Sequence, residues 1–167
     1  PASGRYEFAG QQEQARPERE LIRLRGGAAE AMLIWNTRHG PVVAADAGRM
    51  LALRWSAYGY DEFRLPILEL NRAHNWEEFR AALSRLPGPA LNFVYADAAG
   101  NIGLQVTGRL PIRRGFDGSL PVDGCSGRFE WEGWIPFDKL PSVFNPASGL
   151  IVSANQNSFP PDFPYPV

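Results

Sequence analysis

The sequence predicts an α+β fold in which antiparallel strands, two short helices and a loop-rich Pro/Gly/Trp region follow one another. Short apolar runs separated by turn residues fill the N-terminal part, and apolar residues at helical spacing follow them. Two β-type runs around a polar turn come next. With 167 residues, 44% of them hydrophobic and 12% aromatic, the chain has enough apolar material for a core.

The N-terminal part divides into a polar stretch and a series of strands. Residues 1–19 are rich in Gln, Glu and Arg, and their lack of periodicity predicts a polar loop or frayed terminus. Beyond them, apolar runs separated by Gly26, Gly27 and the 38–40 turn indicate antiparallel strands. The predicted strands are residues 20–24, 31–36, 41–43 and 50–57.

Two helices are predicted in the middle of the chain. Pro66 suits the first turn of a helix that ends near Arg72, because the N–H that proline lacks would be unpaired there. Asn75, three residues before Glu78, has the form of a helix N-cap. The apolar residues after it share one helical face, and residues 87–89 (PGP) end the helix. These residues are Trp76, Phe79, Ala82, Leu83 and Leu86.

A β-hairpin is predicted over residues 90–107, with its turn at 97–101. Residues 109–147 hold many Pro, Gly and Trp residues and predict an extended, loop-rich path held by aromatic packing. A last strand is predicted at 150–154. The proline content of residues 159–167 argues against regular structure there.

Composition excludes several classes of function. The formal net charge is −1 and the arginines are scattered, which gives no reason to expect nucleic acid or an anionic membrane as partner. No segment approaches the roughly 20 apolar residues that a membrane span needs. The single cysteine, Cys125, excludes an intrachain disulfide framework and is interpreted as a small buried hydrophobic residue.

The two histidines do not predict a metal site. His39 and His74 have no carboxylates at zinc-ligand spacing, and no His-Glu-x-x-His pattern is present. His39 precedes Gly40 and Pro41, so a structural role in a turn is the better interpretation. The serine triad of the α/β-hydrolases also lacks support, because no Gly-x-Ser-x-Gly elbow is present.

Four further residues are weighed as catalysts and interpreted as structural. Pro1 could act through its own amine only if the terminus were buried, and its small polar neighbours argue against burial. Asp97, Asp117 and Asp123 each lie beside Gly or Ala in predicted turns. Solvated turn carboxylates are the better interpretation.

Four blocks in a fixed order carry a family resemblance. They are residues 91–103 (LNFVYADAAGNIG), 108–113 (GRLPIR), 131–137 (WEGWIPF) and 145–155 (NPASGLIVSAN). With upstream matches at residues 35–41, 51–57 and 75–79, the sequence resembles the penicillin amidase (penicillin acylase) family. The members of that family are N-terminal-nucleophile hydrolases of linear amide bonds.

The resemblance implies a four-layer αββα fold, with residues 20–167 as part of the large-chain (β-chain) domain. In that family the nucleophile is a serine exposed by autoproteolytic processing as the first residue of the large chain, and its own amine is the base. This chain starts at Pro1. We therefore expect an internal fragment of the large chain that is inactive by itself, with the nucleophile serine outside it.

The resemblance gives one catalytic residue, Asn155, as the side-chain donor of the oxyanion hole. From the residues alone, an asparagine that closes a strand into a turn is the alternative. Asn157 is interpreted as a turn residue. Some family members bind calcium near residues 117–121 and after the oxyanion asparagine, where only Asp162 is available. Calcium takes six to eight oxygen ligands, so no metal or other cofactor is assigned.

The implied substrates are small N-acyl amides, such as penicillins or acyl-homoserine lactones. The implied partners are the remaining segments of the large chain and the small chain, and the implied location is periplasmic or secreted. The alternative function is a non-catalytic binding module that keeps part of this architecture. In that case Trp131, Trp134 and Phe137 would form a docking surface.

Overall fold

The computed structural model describes residues 3–46, 48–58, 65–154 and 156–167, with the Asp46 side chain left out. The chain divides into two compact units: Pro1–Tyr58 with Arg114–Glu130, and Gly59–Arg113 with Trp131–Val167. Antiparallel sheets, two α-helices and a 3₁₀ helix at Phe137–Lys139 make up the described elements, so the α+β class is confirmed. Among the described residues, no helix is long and apolar enough to cross a membrane.

The first unit is built from two antiparallel sheets. A two-stranded sheet pairs β1 (Arg5–Phe8) with β2 (Gln11–Gln14). A four-stranded sheet has the order β3-β4-β5-β6. Its strands are β3 (Arg16–Ile22), β4 (Glu30–Thr37), β5 (Gly40–Asp46) and β6 (Arg49–Ala52).

The prediction of a loop over residues 1–19 is wrong for most of that stretch, which is strand. Every residue of β3 is exposed, so no alternation of apolar and polar residues reveals the strand in the sequence. Polar contacts hold the β1–β2 hairpin instead: the Tyr6 hydroxyl donates to Glu13, and the Ala15 N–H donates to the Gly4 carbonyl at 2.8 Å. The strand predicted over residues 50–57 is shorter and ends at Ala52.

A carboxylate ties the end of the 114–130 loop to the sheet. Glu130 Oε1 lies 2.7 Å from His39 Nε2, and Arg54 donates to Glu130 Oε2 at 2.5 Å. Burial opposes ionisation of Glu130, but hydrogen bonds from His39 and Arg54 outweigh it and lower its pKa. The ring of Phe8 packs edge-on against His39, with ring centroids 5.7 Å apart. His39 therefore has a structural role, as predicted.

The same loop contains Cys125, and the prediction that it is buried is wrong. The backbone of Cys125 is held from both sides, because its N–H donates to Asp123 Oδ1 and its carbonyl accepts from the Ala9 N–H at 2.7 Å. Its side chain is exposed as a free thiol. The backbone of this loop is satisfied by turn contacts that do not require the thiol to be buried.

The second unit contains both helices and a three-stranded sheet. The helices are α1 (Ile67–Arg72) and α2 (Trp76–Leu83). The strands are β7 (Leu91–Ala96), β8 (Ile102–Thr107), β9 (Pro111–Arg113), β10 (Trp131–Trp134) and β11 (Ser142–Phe144). The sheet order is β11-β8-β7, and β9 pairs with β10.

The start of α2 follows its sequence signal, but α2 ends at Leu83, before the predicted end at residues 87–89, and Pro66 is the N-cap of α1 and not part of its first turn. Asn75 Oδ1 accepts from the Glu78 N–H at 2.8 Å, which confirms the predicted N-cap. Glu78 in turn accepts from the His74 N–H at 2.9 Å, and this hydrogen bond is the main cause of the lowered pKa of Glu78. The predicted hairpin is also confirmed, since β7 and β8 pair over their whole length.

Helix α2 packs on one face of β8. Trp76 lies over Gly103, Arg80 Nε donates to Gln105 Oε1 at 2.8 Å, and the Thr107 hydroxyl donates to the Leu83 carbonyl at 2.9 Å. These strand positions alternate, and the three helix positions are spaced four and three residues apart, so one stripe of the helix meets one face of the strand. Gln105 and Thr107 are fully buried with their polar atoms satisfied.

The opposite face of β8 forms the core of this unit. Leu104 and Val106 pack with Ile135 and Leu140, and we call these four residues the core cluster. Partly buried residues from the C-terminal part of the chain cover it. They are Leu110, Ile112, Phe137, Ile151, Phe159, Phe163 and Tyr165.

The strand predicted over residues 150–154 does not form. Residues 150–153 have no regular secondary structure, and Ala154 is in a bend. The Gln156 side chain takes the backbone groups that a strand ladder would use: its Oε1 accepts from the Ala154 N–H at 2.6 Å, and its Nε2 donates to the Val152 carbonyl at 2.8 Å. Such local side-chain bonds compete with sheet formation.

The contact between Trp76 and Gly103 predicts the effect of adding one methyl group. A Cβ at residue 103 would lie 2.5 Å from Trp76 Cζ3, so Gly103→Ala forces the indole out of its site. We expect a loss of about 1–3 kcal/mol, seen as faster hydrogen exchange in α2. Gly27→Ala is the matched control, because its Cβ would meet only Leu24 at 3.7 Å. Unchanged exchange in α2 of Gly103→Ala would contradict this packing.

The contacts of Glu130 with His39 and Arg54 predict that the stability of the 114–130 loop depends on pH. The folded-state pKa lies below the ordinary value of 4.5, so ionised Glu130 stabilises the fold above about pH 4.5. That contribution disappears as the pH falls through the folded-state pKa. We expect Glu130→Gln to lose about 1–2 kcal/mol of local protection in residues 126–131 at pH 7, and the difference from wild type to shrink in acid.

The measurement is hydrogen exchange, corrected for intrinsic rates at each pH. Glu69→Gln is the control, read in α1, because the exposed Glu69–Arg85 pair is 3.9 Å apart and should contribute little. Equal protection of residues 126–131 in wild type and Glu130→Gln at pH 7 would show that the carboxylate does not hold the loop.

Candidate active site

The candidate site is the segment of residues 151–159, which we call the oxyanion segment. Asn155, the predicted oxyanion donor, lies outside the described residues, so the site is described through its neighbours 151–154 and 156–159. Ile151 and Phe159 pack against the core cluster at the two ends of the segment. Phe159 also contacts Phe163, with ring centroids 4.8 Å apart. Both ends of the segment are therefore fixed by apolar packing.

Side-chain amides organise the segment between these ends. Gln156 bonds to the backbone on both sides, at Val152 and Ala154, as described above. Asn157 Oδ1 accepts from the Phe159 N–H at 2.9 Å, which agrees with its interpretation as a turn residue. Local side-chain bonds therefore hold the backbone at Val152, Ala154 and Phe159 without a sheet ladder.

A third amide reaches the segment from the sheet. Asn92 of β7 donates from Nδ2 to Ser153 Oγ at 3.2 Å and to Ser158 Oγ at 2.7 Å. The two serines stand on either side of Asn155 in the sequence. Sequence reasoning missed this contact, although Asn92 carries a signal: it is a polar residue inside the apolar run of β7.

The carboxylates proposed as turn residues are found in turns. Asp97 accepts from the N–H groups of Ala99 and Asn101 and from the Asn101 side chain, and these bonds, led by the one from the Asn101 side chain, lower its pKa. Its neighbour Tyr95 has a pKa raised by burial and by the hydrogen bond to Asp97. Asp117 accepts from Ser119 at 2.8 Å. Asp123 accepts from Cys125, as described above. These contacts give each carboxylate a structural role.

The remaining candidates do not assemble into a second site. Among residues 3–46, 48–58, 65–154 and 156–167, no group of three or more His, Cys, Asp or Glu gathers as metal ligands do. Pro1 lies outside the described residues. Phe137 packs against the core cluster, so it does not join Trp131 and Trp134 as one free docking surface. The two tryptophans contact each other edge to face, with centroids 5.5 Å apart.

A scan against protein-family models matches the penicillin amidase family over residues 1–167. Among curated proteins, the chain is 39% identical to penicillin acylase 2 proenzyme of Pseudomonas sp. strain SE83, over 87% of the chain and 19% of that protein. It is 38% identical to penicillin G acylase of Escherichia coli, over 87% of the chain and 17% of that protein.

Other relatives are named acyl-homoserine lactone acylases. The acyl-homoserine lactone acylase QuiP of Pseudomonas fluorescens strain Pf0-1 is 34% identical, over 93% of the chain and 20% of that protein. The chain thus spans about a fifth of the length of the curated relatives it matches.

A solved structure agrees with these matches. The thermostable penicillin G acylase from Alcaligenes faecalis superimposes with a TM-score of 0.85 at 34% identity, over 95% of this chain and 29% of that one. The family match spans the blocks that carry the resemblance and the whole oxyanion segment. The chain belongs to the penicillin amidase family.

Proposed function

We propose that this chain is the part of a penicillin-amidase-type hydrolase that supplies the oxyanion donor, Asn155. The observation that carries the proposal is the bracing of its neighbours. Apolar anchors at Ile151 and Phe159 and the side-chain amides of Asn92 and Gln156 hold the residues before and after it. A donor in an oxyanion hole is effective only when it is fixed before charge develops, and such bracing meets that requirement.

The proposed reaction is amide hydrolysis through an acyl-enzyme. A serine at the N-terminus of the processed large chain, outside this chain, attacks the amide carbonyl while its own α-amine takes the hydroxyl proton. The C–N bond breaks, and the amine leaves with that proton. Water then attacks the acyl-serine, its proton returns through the α-amine, and the carboxylic acid is released. Asn155 donates its side-chain N–H to the oxyanion in both halves.

The proposed substrates are small N-acyl amides. Some relatives are named for penicillins and others for acyl-homoserine lactones. Both kinds of compound carry an acyl group on an amide nitrogen. That shared bond is the one the mechanism cuts. The acyl group itself is left open, since the oxyanion donor contacts only the carbonyl oxygen.

The proposed partners are the remaining segments of the large chain and the small chain. The four-stranded sheet exposes large apolar side chains, with Leu21 62%, Leu33 56% and Val43 59% accessible. Exposed apolar residues on neighbouring strands are typical of a surface that another segment covers. We propose that the remainder of the protein covers this sheet, as the length of the relatives suggests.

The chain by itself should lack amide hydrolase activity. We expect residues 1–167 alone to hydrolyse no acyl amide above background, because in the proposed mechanism nucleophile and base are one residue that is absent from this sequence. A panel of chromogenic phenylacetyl and long-acyl anilides tests this, with an extract from an empty host as control for contaminating amidases. Amide hydrolysis that co-elutes with the purified chain on two successive columns would contradict the proposed mechanism.

In the processed enzyme that contains this chain, the Asn155 side chain should be needed for catalysis. Removing an oxyanion donor should lower kcat about 10²- to 10³-fold in Asn155→Ala, with little change in KM, because the lost bond strengthens only in the transition state. Asn157→Ala is the matched control: a turn asparagine two residues away, whose loss should cost stability and leave kcat of the folded enzyme near wild type.

Processing must be checked by intact mass, since an unprocessed precursor would be inactive for another reason. Full kcat in correctly processed Asn155→Ala would refute the assignment of Asn155. Equal losses of kcat in the two variants would show that the assay reports damage to the segment and not loss of a donor.

A further inference from the structure

We propose that Asn92 is a positioning residue for the oxyanion donor: its side-chain amide ties together the two sides of the oxyanion segment and thereby fixes Asn155. This inference rests on the proposed function, because it gives Asn92 a role only through Asn155. Asn92 is not proposed to touch the substrate. Its role follows from the register of the sheet and from two hydrogen bonds.

The register places Asn92 on the same face as the core cluster. Asn92 pairs with Val106, and Val94 pairs with Leu104. Residues directly opposite each other in an antiparallel pair point to the same side of the sheet. The other face, with Gly103, carries α2. Asn92 therefore lies on the side of the sheet where the core cluster packs against Ile151 and Phe159.

The geometry at Asn92 joins two points of the segment to one nitrogen. Nδ2 has two hydrogens, and two serine oxygens accept from it, Ser153 Oγ at 3.2 Å and Ser158 Oγ at 2.7 Å. Both donors are used, so the amide cannot rotate without losing both contacts. One amide therefore joins Ser153 and Ser158, which lie before and after Asn155 in the sequence.

The contacts of Asn92 also connect the oxyanion segment to a rigid element. β7 is paired with β8 over six positions, and β8 is buried between α2 and the core cluster. Gln156 bonds to Val152 and Ala154, which both belong to the oxyanion segment, and these bonds do not connect the segment to the sheet. The amide contacts of Asn92 do connect the oxyanion segment to the sheet.

Positioning of this kind has a large effect on rate. Catalytic groups must be held within about 0.5 Å of the productive geometry, and a misplacement of about 1 Å can cost about 10²-fold. If Asn92 is lost, the apolar anchors at Ile151 and Phe159 still hold the ends of the segment. We therefore expect the ends of the oxyanion segment to stay packed in Asn92→Ala, while Asn155 is positioned less precisely.

The experiment uses the full processed enzyme and the acyl anilide of the panel that it turns over fastest. Asn92→Ala should lower kcat about 10- to 100-fold, with KM changed by less than about threefold. Asn101→Ala is the matched control, since Asn101 serves the turn of the same hairpin, where its amide donates to Asp97 at 2.8 Å. It should keep kcat near wild type although it loses two side-chain hydrogen bonds, one to Asp97 and one from Asn145.

A double-mutant cycle separates positioning from general damage. In an Asn155→Ala background no donor is left to misplace, so adding Asn92→Ala should lower kcat by less than about twofold. If Asn92→Ala lowers kcat by the same factor in both backgrounds, it acts independently of Asn155 and the inference is overturned. Full kcat in Asn92→Ala alone overturns it as well.

A second variant tests the inference if Asn92→Ala does not fold or process. If Asn92→Ala fails to process, the double variant Ser153→Ala/Ser158→Ala removes the two acceptors and leaves the strand unchanged, and it should show the same loss of kcat. Wild-type kcat in this variant overturns the inference. Asn155→Ala is measured in parallel: full kcat there removes the proposed function and the inference with it, whereas a large loss there with none in the Asn92 and serine variants removes the inference alone.

Discussion

Burial of β8 on both faces is the constraint on which the second unit depends. Because β8 lies between two layers, alternate residues must pack against α2 and the others against the core cluster. Gln105 and Thr107 are fully buried on the helix side, where Arg80 and the Leu83 carbonyl bond to them. A one-residue slip would exchange these polar groups with Leu104 and Val106 and leave them unpaired in the apolar core. The register of β8 is therefore strongly specified.

That register determines where the oxyanion segment lies. Because Val106 faces the core cluster, its partner Asn92 faces the same side, where Ile151 and Phe159 pack. The segment itself has little regular structure, yet its backbone is bonded to side chains at defined atoms. In the account proposed above, a packed strand gives rigidity and an amide transfers that rigidity to a catalytic loop. Functional residues commonly lie on loops that a rigid scaffold positions.

The sequence predicts elements whose signals are local. The α2 helix follows from its cap and apolar spacing, and the β7–β8 hairpin follows from two β-type runs around a polar turn at residues 97–101. The β1–β2 hairpin is not predicted from the sequence, because β2 is polar throughout and β1 alternates over only four residues. The apolar run at 150–154 predicts a strand that does not form, since the competition from the Gln156 side chain is not visible in a hydropathy pattern.

The candidate site also combines a feature that the sequence indicates with contacts that it does not. Asn155 was proposed from a family resemblance, and from its own neighbours in the sequence it is no more than an asparagine after an apolar run. The contacts from Asn92 to Ser153 and Ser158 span 61 and 66 residues, so no local pattern could reveal them. Only the sheet register, which depends on long-range packing, brings these groups together.

A crystal structure of the processed enzyme with a boronic acid bound covalently to its nucleophile tests the central claim most directly. The tetrahedral adduct carries an oxygen where the oxyanion forms. The account predicts that Asn155 Nδ2 lies about 2.7–3.1 Å from that oxygen, with Asn92 still bonded to Ser153 and Ser158. An adduct oxygen held by other donors, with the Asn155 side chain beyond about 3.5 Å, would contradict it.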